Sequence, residues 1–513
     1  MASREATSST STAALTVQEY LDKHQLSLRI EEAVNAAVRA RAEEPVSYLA
    51  DVLRRAAPAV ITKVRARQIY DSRGVPTIEV DVQTRKGSFR AAVPSGEATR
   101  GHDTSDEDAS KSPPSSVSQA IAIVNTVLAP PLIGKDPTKQ VEIDQLICRV
   151  LEKSGDKTGG GASAILAVSL AVCRAGAAEK GVPLYQHIAE LAANIRLVLP
   201  VPAFTVINGG RHAGNKLACQ DFTILPVGAD SFASAMRMGT ETYHQLRTVI
   251  KEKYPADPCS IGDEGGYAPS ISSGREALDL IVAAIDRAGG TGRVKIGLDV
   301  VASNLFTEAK VYDLDYKTPN NDGKQKKTGA DLMTSYKELC AAYPIVSVGD
   351  PFDRTDWENT KGLNAADVCQ VVGDELLESN VKTIAAAVQG KWCNGLLVKV
   401  HDAGTVSATI DAVRTAKEAG WGVMVGHGSG ETDDAFIADL AVGLAAGQFK
   451  AGAPCQSERL AKYNQLLRIE EQLGDKAIYG GEDFRHIPWV TPSPPSRPAI
   501  PPVPYREIAP NHS

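Results

Sequence analysis

The chain has 513 residues, 43% of them hydrophobic and 23% charged, the proportions of a globular protein with room for two or three domains and a large buried core. Its 55 basic and 62 acidic residues leave a net charge of -7 with the signs interspersed, which gives no field to attract nucleic acid or an acidic membrane. Eight cysteines lie scattered from Cys148 to Cys455 without C-x-x-C spacing, so they are expected as reduced core residues of a cytoplasmic protein, not as a disulfide or zinc framework.

No apolar run approaches the roughly 18 to 20 residues needed to span a membrane, and no membrane contact is expected. Residues 1–14 are rich in Ser and Thr, too apolar-poor for a secretory signal, and expected to be disordered. A remnant organelle-targeting peptide is the alternative reading. Residues 15–57 form the first folded unit. Ile30, Ala33, Val34, Ala37 and Val38 recur at helical spacing and make one apolar face, and Pro45 suits the first turn of a second helix, where its missing N–H costs nothing. Two short helices cannot bury both apolar faces alone, so self-association is expected. The string VQEYLDKHQLSLRIEEAVNAAVRARAEEPVSYLADVL resembles the docking and dimerisation motif of the regulatory subunits of cyclic-AMP-dependent kinase. That resemblance implies a dimeric four-helix bundle and a helical partner for residues 15–57; a plain helical extension packed on the body is the other reading.

From Ile61 the pattern switches to period two. The stretch ITKVRARQIYDSRGVPTIEVDVQTRKGSFRAAV predicts three antiparallel strands with turns at 72–74 and 85–87. Helical patterns follow over 117–128 and 162–180, so residues 60–197 read as an α+β domain placed before the next unit. Residues 198–484 then alternate short apolar runs with amphipathic stretches such as 275–288, 329–342 and 404–420, the pattern of a barrel of parallel strands. In such barrels chemistry sits at the C-terminal strand ends. The runs end on active residues: VKIGLD on Asp299, VVGD on Asp374, GLLVK on Lys399, VMVGH on His427 and GQFK on Lys450. One run differs, because IVSVGDPF puts Gly349 where its neighbours put an acid. Side chains alternate along a strand, so Lys295, Gly297 and Asp299 share one face, Ile345, Ser347 and Gly349 share the equivalent one, and Asp350 points the other way. Residues 485–513 are too proline-dense for helix or sheet and read as a disordered tail, either inert or a ligand for a proline-reading domain.

The strings DSRGVPTIEV, GASAILAVSLAVCRAGA, VPAFTVINGGRHAGN, IGDEGGYAP, SGETDDAFIADLAVGL and SERLAKYNQLLRIEEQLGD together resemble enolase over about residues 61–484. The resemblance implies an α/β fold: a TIM-like (β/α)8 barrel of enolase type preceded by an α+β capping domain and here by the helical pair. It also implies a homodimer and the Mg-dependent dehydration of 2-phosphoglycerate to phosphoenolpyruvate in glycolysis. Removing a proton beside a carboxylate needs a strong base and concentrated positive charge, and enolase-superfamily sites pair a Lys or His base with one or two Mg²⁺. By the same resemblance Lys399 is the base, Glu264 the acid for the departing 3-hydroxyl, and Lys450 a contact for the substrate carboxylate. Asp299 and Asp374 match two of three carboxylate ligands for Mg²⁺, His212 a loop histidine near the leaving hydroxyl, and His427 and Ser429 the surroundings of the phosphate. Two ammonium groups facing each other would help Lys399 act as a neutral base.

Four positions depart from the family. Gly349 stands where the third metal ligand belongs, leaving Asp350 or Glu375 as candidate replacements; a Mg²⁺ held by two carboxylates keeps more water and binds more weakly. Gly428 replaces a phosphate-binding arginine, and a glycine supplies no fork of donors. Ala98, in the lid string PSGEATRG, replaces a hydroxyl that reaches a second Mg²⁺, and Asp221 is one methylene shorter than the family's glutamate. The alternative reading is therefore a catalytically impaired pseudo-enolase that acts as a scaffold or docking protein through residues 15–57.

Overall fold

The computed structural model describes residues 16–56, 59–95, 114–155 and 160–488. The expected disordered N-terminus, the lid string from residue 96 onward with Ala98, and the proline-rich tail beyond residue 488 lie outside the described residues.

The first unit holds three helices where two were expected: α1 (Val17–His24), α2 (Leu26–Ala40) and α3 (Pro45–Ala56). Thr16 and Glu19 form a reciprocal capping box at the start of α1, and Gln25 in the left-handed region (φ 49°) breaks the chain before α2. Pro45 opens α3, as its missing donor allows. Helices α2 and α3 pack as a hairpin that buries Ala33 and Ala37, while Ile30, Val34 and Val38 remain 51%, 42% and 70% exposed. The predicted apolar face is thus split, with its alanines covered and its β-branched residues open.

The capping domain begins with β1 (Lys63–Tyr70), β2 (Pro76–Thr84) and β3 (Gly87–Ala92), antiparallel in that order. Helix α4 (Pro114–Ala122) runs through a π-helical turn, Ile123–Leu128, into α5 (Ala129–Leu132), and α6 (Gln140–Ser154), α7 (Gly161–Lys180) and α8 (Leu184–Ala192) complete the layer. Helix α7 corrects one expectation, since its 20 residues are long and apolar enough to cross a membrane. Twelve of them, among them Leu166, Val168, Leu170 and Val172, are buried in the layer that covers β2 and β3, so α7 is a core helix hydrophobic all round.

The second domain closes an eight-stranded barrel. Its first strand is broken at Ala203 into β4 (Val201–Pro202), which pairs with the last strand, and β5 (Phe204–Asn208), which pairs with the second. The others are β6 (Asp221–Leu225), β7 (Lys295–Asp299), β10 (Ile345–Gly349), β11 (Gln370–Gly373), β12 (Gly395–Val398), β13 (Gly422–Gly426) and β14 (Gly447–Lys450), with a small hairpin, β8 (Tyr312–Asp313) and β9 (Lys326–Lys327), outside the barrel. Between them lie α9 (Phe232–Lys253), α10 (Gly274–Arg287), α11 (Gly329–Ala342), α12 (Trp357–Ala365), α13 (Val381–Gly390), α14 (Val400–Ala403), α15 (Val406–Glu418) and α16 (Phe436–Gly443), and α17 (Ser457–Leu473) follows. The barrel is not wholly parallel: β6 runs against both neighbours. No α-helix lies between β5 and β6, whereas both α9 and α10 lie between β6 and β7, so the chain returns on the side where it left.

The capping domain is fixed to the C-terminal end of the barrel. The Ser72 N–H donates to the Glu431 carbonyl (2.9 Å), the Ser95 N–H to the Gly430 carbonyl (3.1 Å), and Arg174 forks onto the Asp434 carboxylate at 2.9 and 2.7 Å. These contacts carry the turn between β1 and β2 to the mouth where the chemically active strand ends converge.

Candidate active site

The C-terminal ends of β7, β11, β12, β13 and β14 open onto one cavity of about 310 Å³, lined by His212, Glu264, Asp299, Asp374, Glu375, Lys399, His427, Ser429 and Lys450 together with Arg73, Arg211, Gln220, Asp263 and Asn304. Every site residue read from the sequence lines this cavity except Asp221, which lies fully buried behind it.

The charges pair closely. Lys450 Nζ donates to Asp221 Oδ2 (2.8 Å) and to Asp299 Oδ2, while Lys399 Nζ meets Asp374 Oδ2 at 2.8 Å. Each ammonium is held by carboxylates. Burial disfavours charge on Lys450, but Asp221, Asp299 and Glu264 outweigh it and hold the ammonium well above its usual range. That suits a fixed positive contact. Lys399 is half-buried and grips the Asp374 carboxylate.

On the opposite side, Glu264 Oε1 is 2.8 Å from His427 Nε2, its Oε2 accepts from the Thr205 hydroxyl at 3.1 Å, and His212 Nδ1 lies 3.2 Å from Asp221 Oδ1 and 3.8 Å from Glu264 Oε1. Burial would raise the Glu264 carboxyl, yet His427 and Lys450 hold it well below the usual carboxylate range. Burial opposes charge on His212, but Asp221 and Glu264 push its imidazole up to about 9. A proton therefore rests on His212 at neutral pH, within reach of Glu264. The result is a compact relay that can deliver a proton to a departing group.

Register confirms which residues share a face, because Gly349 pairs with Asp299 and Ser347 with Gly297. A Cβ on Gly349 would sit 3.1 Å from Asp299 Oδ1. That oxygen is buried and has no hydrogen-bond partner among the described residues, and a cavity of about 30 Å³ lies beside it, lined by Gly349, Ser347, Asp374 and Lys450 among others. Asp350 does not replace the missing carboxylate. Its backbone turns into the left-handed region (φ 38°), and its two oxygens accept from the Asp374 and Glu375 N–H groups at 2.9 and 2.8 Å. Burial and the neighbouring Asp374 and Glu375 push it well above the usual carboxylate range. Burial likewise raises Asp374 to about 7, only partly offset by Lys399. The buried carboxylates of Asp299 and Asp374, on either side of Gly349 and lining the same cavity, form a hard oxygen-donor set that fits a divalent cation. Glu375, on the same cavity wall, is the nearest further carboxylate in sequence. His212, Asp221 and Glu264 also bring one donor atom each within 4.8 Å of one another, but their pairing with His427 and Lys450 already satisfies them as a relay.

The space that a side chain at Gly428 would need is filled, since a Cβ there would meet His401 Cε1 at 2.8 Å and Pro94 Cγ at 3.1 Å. Arg73, Arg211, Gln220, Asp263 and Asn304 line the cavity but escaped the sequence reading, and the two arginines are the cations among them. Arg73 belongs to the capping domain and reaches the barrel only through the interdomain hydrogen bonds, while Arg211 directly precedes His212 and was masked by it. Their only signal was a position inside the strings DSRGVP and NGGRHAGN.

Comparison with known proteins matches residues 61–188 to the family described as "Enolase, N-terminal domain" and residues 196–487 to "Enolase, C-terminal TIM barrel domain". The chain is 52% identical over 474 residues to "Cytosolic enolase 3" of Arabidopsis thaliana, which covers 92% of this chain and 99% of that protein. It is 54% identical over 437 residues to "Enolase" of Solanum lycopersicum and 54% over 435 residues to "Enolase 2" of Hevea brasiliensis, each covering 83% of this chain and 98% of the relative.

Proposed function

The chain belongs to the enolase family, and from that premise we propose that it is a cytosolic enolase-type lyase that removes water from 2-phosphoglycerate to give phosphoenolpyruvate in glycolysis. Membership implies a divalent metal, and Mg²⁺ is the ion we assign to it. The observation that carries this reading is the convergence of Lys399, Asp299, Asp374, Lys450, Glu264, His212 and His427 on one cavity.

In this reading Lys399 takes the proton beside the substrate carboxylate, and Lys450 holds that carboxylate with a charge that Asp221, Asp299 and Glu264 maintain against the opposing effect of burial. Asp299 and Asp374 would hold the Mg²⁺, which would supply positive charge to neutralise the negative charge developing on the carboxylate. The 3-hydroxyl leaves as water by taking the proton that His212 carries at neutral pH, passed to it through the Glu264 carboxylate, which ends the step ionised as it began. His427 fixes Glu264, and Ser429 borders the phosphate. The domain limits that accompany this assignment are a helical unit over 15–57, a capping domain over 60–197 and the barrel over 198–484.

The test is phosphoenolpyruvate formation by the purified chain, with turnover expected from the parent and its loss by several orders of magnitude in Lys399→Ala. Turnover equal in both would remove Lys399 from the reaction.

A second role is favoured by the open stripe of Ile30, Val34 and Val38 on α2. We assign it to a helical contact with a second copy of the chain, giving a docking and dimerising module resembling that of the kinase regulatory subunits. A stripe of this kind at spacing i, i+4, i+8 is self-complementary across a two-fold axis. A scaffold role without turnover is the competing outcome, and the same assay separates the two.

A further inference from the structure

We propose that Arg73, carried by the capping domain, is the guanidinium that binds the phosphate group of the substrate in this protein, in place of the side chain that position 428 lacks. The proposal rests on the 2-phosphoglycerate reading given above. A dianionic phosphate needs a cation at the His427–Ser429 end of the cavity, and residue 428 offers none: the space beside its Cα is occupied by His401 and Pro94.

The cations lining the cavity can be sorted by what they already hold. Lys450 is taken by Asp221 and Asp299, Lys399 by Asp374, His427 by Glu264 and His212 by Asp221. Arg211 stands on the short turn Gly210–His212, on the His212 side of the cavity, and is itself engaged in a contact. Arg73 remains. Its Nη2 donates to the Ser95 hydroxyl at 3.2 Å and lies against Gly430, so close that a Cβ there would collide with it and with Ser95 Oγ at 2.6 Å. Gly430 also has φ +67°, a conformation and an approach that only glycine allows. The guanidinium therefore lies against the loop that carries Gly428 and Ser429.

Its acidic neighbour does not consume it. Arg73 Nε is 3.5 Å from Asp71 Oδ2, a long contact, while Asp71 accepts shorter bonds from the N–H groups of Arg73 and Val75 at 2.8 and 2.7 Å and from the Ser95 hydroxyl at 2.6 Å. Asp71 thus holds the turn in shape and leaves the arginine side chain, 41% exposed at the cavity mouth, with donors directed by Ser95 and open to an anion. A planar fork of donors is the group that recognises phosphate oxygens in pairs.

The test is equilibrium binding of 2-phosphoglycerate, inorganic phosphate and Mg²⁺ to the full chain by calorimetry, for the parent, Arg73→Gln and Arg73→Lys, with KM and kcat beside it. Gln keeps a donor for Ser95 and removes the charge; Lys keeps the charge and loses the fork. Arg73→Gln is expected to weaken 2-phosphoglycerate and phosphate binding by roughly tenfold or more, with Arg73→Lys intermediate. Mg²⁺ affinity and the melting temperature should stay at the parent's values, and KM should rise with little change in kcat, which a purely structural role would not produce. Parent-like binding of 2-phosphoglycerate by Arg73→Gln overturns the assignment and leaves the enolase reading standing. A parent that binds inorganic phosphate through Arg73 but not 2-phosphoglycerate upholds the anion site and overturns the substrate. Absence of binding to either anion overturns both.

Discussion

At the residue scale, two glycines have different consequences. Gly349 leaves a gap beside a buried carboxylate oxygen of Asp299 that has no partner among the described residues, and its backbone is outside the left-handed region, so a side chain can return there with a shift of a few tenths of an ångström. Gly349→Glu is expected to tighten Mg²⁺ binding by about tenfold, since ligand charge count sets affinity for hard cations; calorimetric titration of the parent and variant checks it. Gly428 is different, because His401 and Pro94 have taken its space. Gly428→Arg alone should lower the melting temperature, whereas Gly428→Arg with His401→Ala should recover it. Metal binding should also depend on pH. Asp374 titrates at about 7 without the cation and must be ionised to hold one, so protons compete below that value. Affinity for Mg²⁺ should fall by up to roughly tenfold per unit from pH 7 to 6 and level off above pH 8; an affinity constant across pH 6 to 8 would place the cation elsewhere. The strand-end acids, lysines and histidine were legible because each ends an apolar run. Asp350 was legible only as facing away; its capture by the N–H groups of Asp374 and Glu375 depends on a backbone bend that alternation does not reveal.

At the element scale, periodicity located most helices to within a few residues, as with α10, α11 and α15, but it could not give strand direction. The antiparallel β6 follows from a connection that lacks an α-helix and then one that has two, a long-range fact with no local signature. The two predicted N-terminal helices became three because Gln25 takes a left-handed turn, rare enough for a side chain that the sequence gives no warning. The π-helical turn after α4 was likewise hidden inside a single helical pattern. Helix α8 carries a measurable consequence. His187 is fully buried where α8 meets α7, with no hydrogen-bond partner on either ring nitrogen among the described residues, and burial lowers it to about 4 from 6.5. Its folded pKa lies below the unfolded one, so the neutral ring's stability is complete above pH 6.5 and is lost as pH falls toward 4. The loss is on the order of 3 kcal/mol. Thermal melting of the parent should drop more steeply between pH 7 and 5 than that of His187→Leu; parallel curves would mean the ring is solvated.

At the scale of the whole molecule, the capping domain and the barrel work as one catalytic body and the N-terminal helices as an attachment. The Arabidopsis relative covers 92% of the chain, which leaves fewer residues uncovered than precede the family match at residue 61, so that relative shares part of the N-terminal unit. Val34→Glu together with Val38→Glu places charge on the open stripe of α2 and should reduce the assembly by one association step in sedimentation, with the melting temperature of the body unchanged. Sequence strings made the two enolase domains visible, whereas Arg73 belonged to neither in isolation, because its place at the barrel mouth is created by the packing of one domain on the other. The most direct measurement is phosphoenolpyruvate formation from 2-phosphoglycerate by the full chain across a Mg²⁺ series, for the parent, Lys399→Ala and Gly349→Glu. A site with two carboxylates from the strand ends predicts turnover in the parent that needs high Mg²⁺ to saturate, saturation at lower Mg²⁺ in Gly349→Glu, and none in Lys399→Ala. Silence in the parent at every Mg²⁺ concentration would contradict the account and leave the scaffold role in its place.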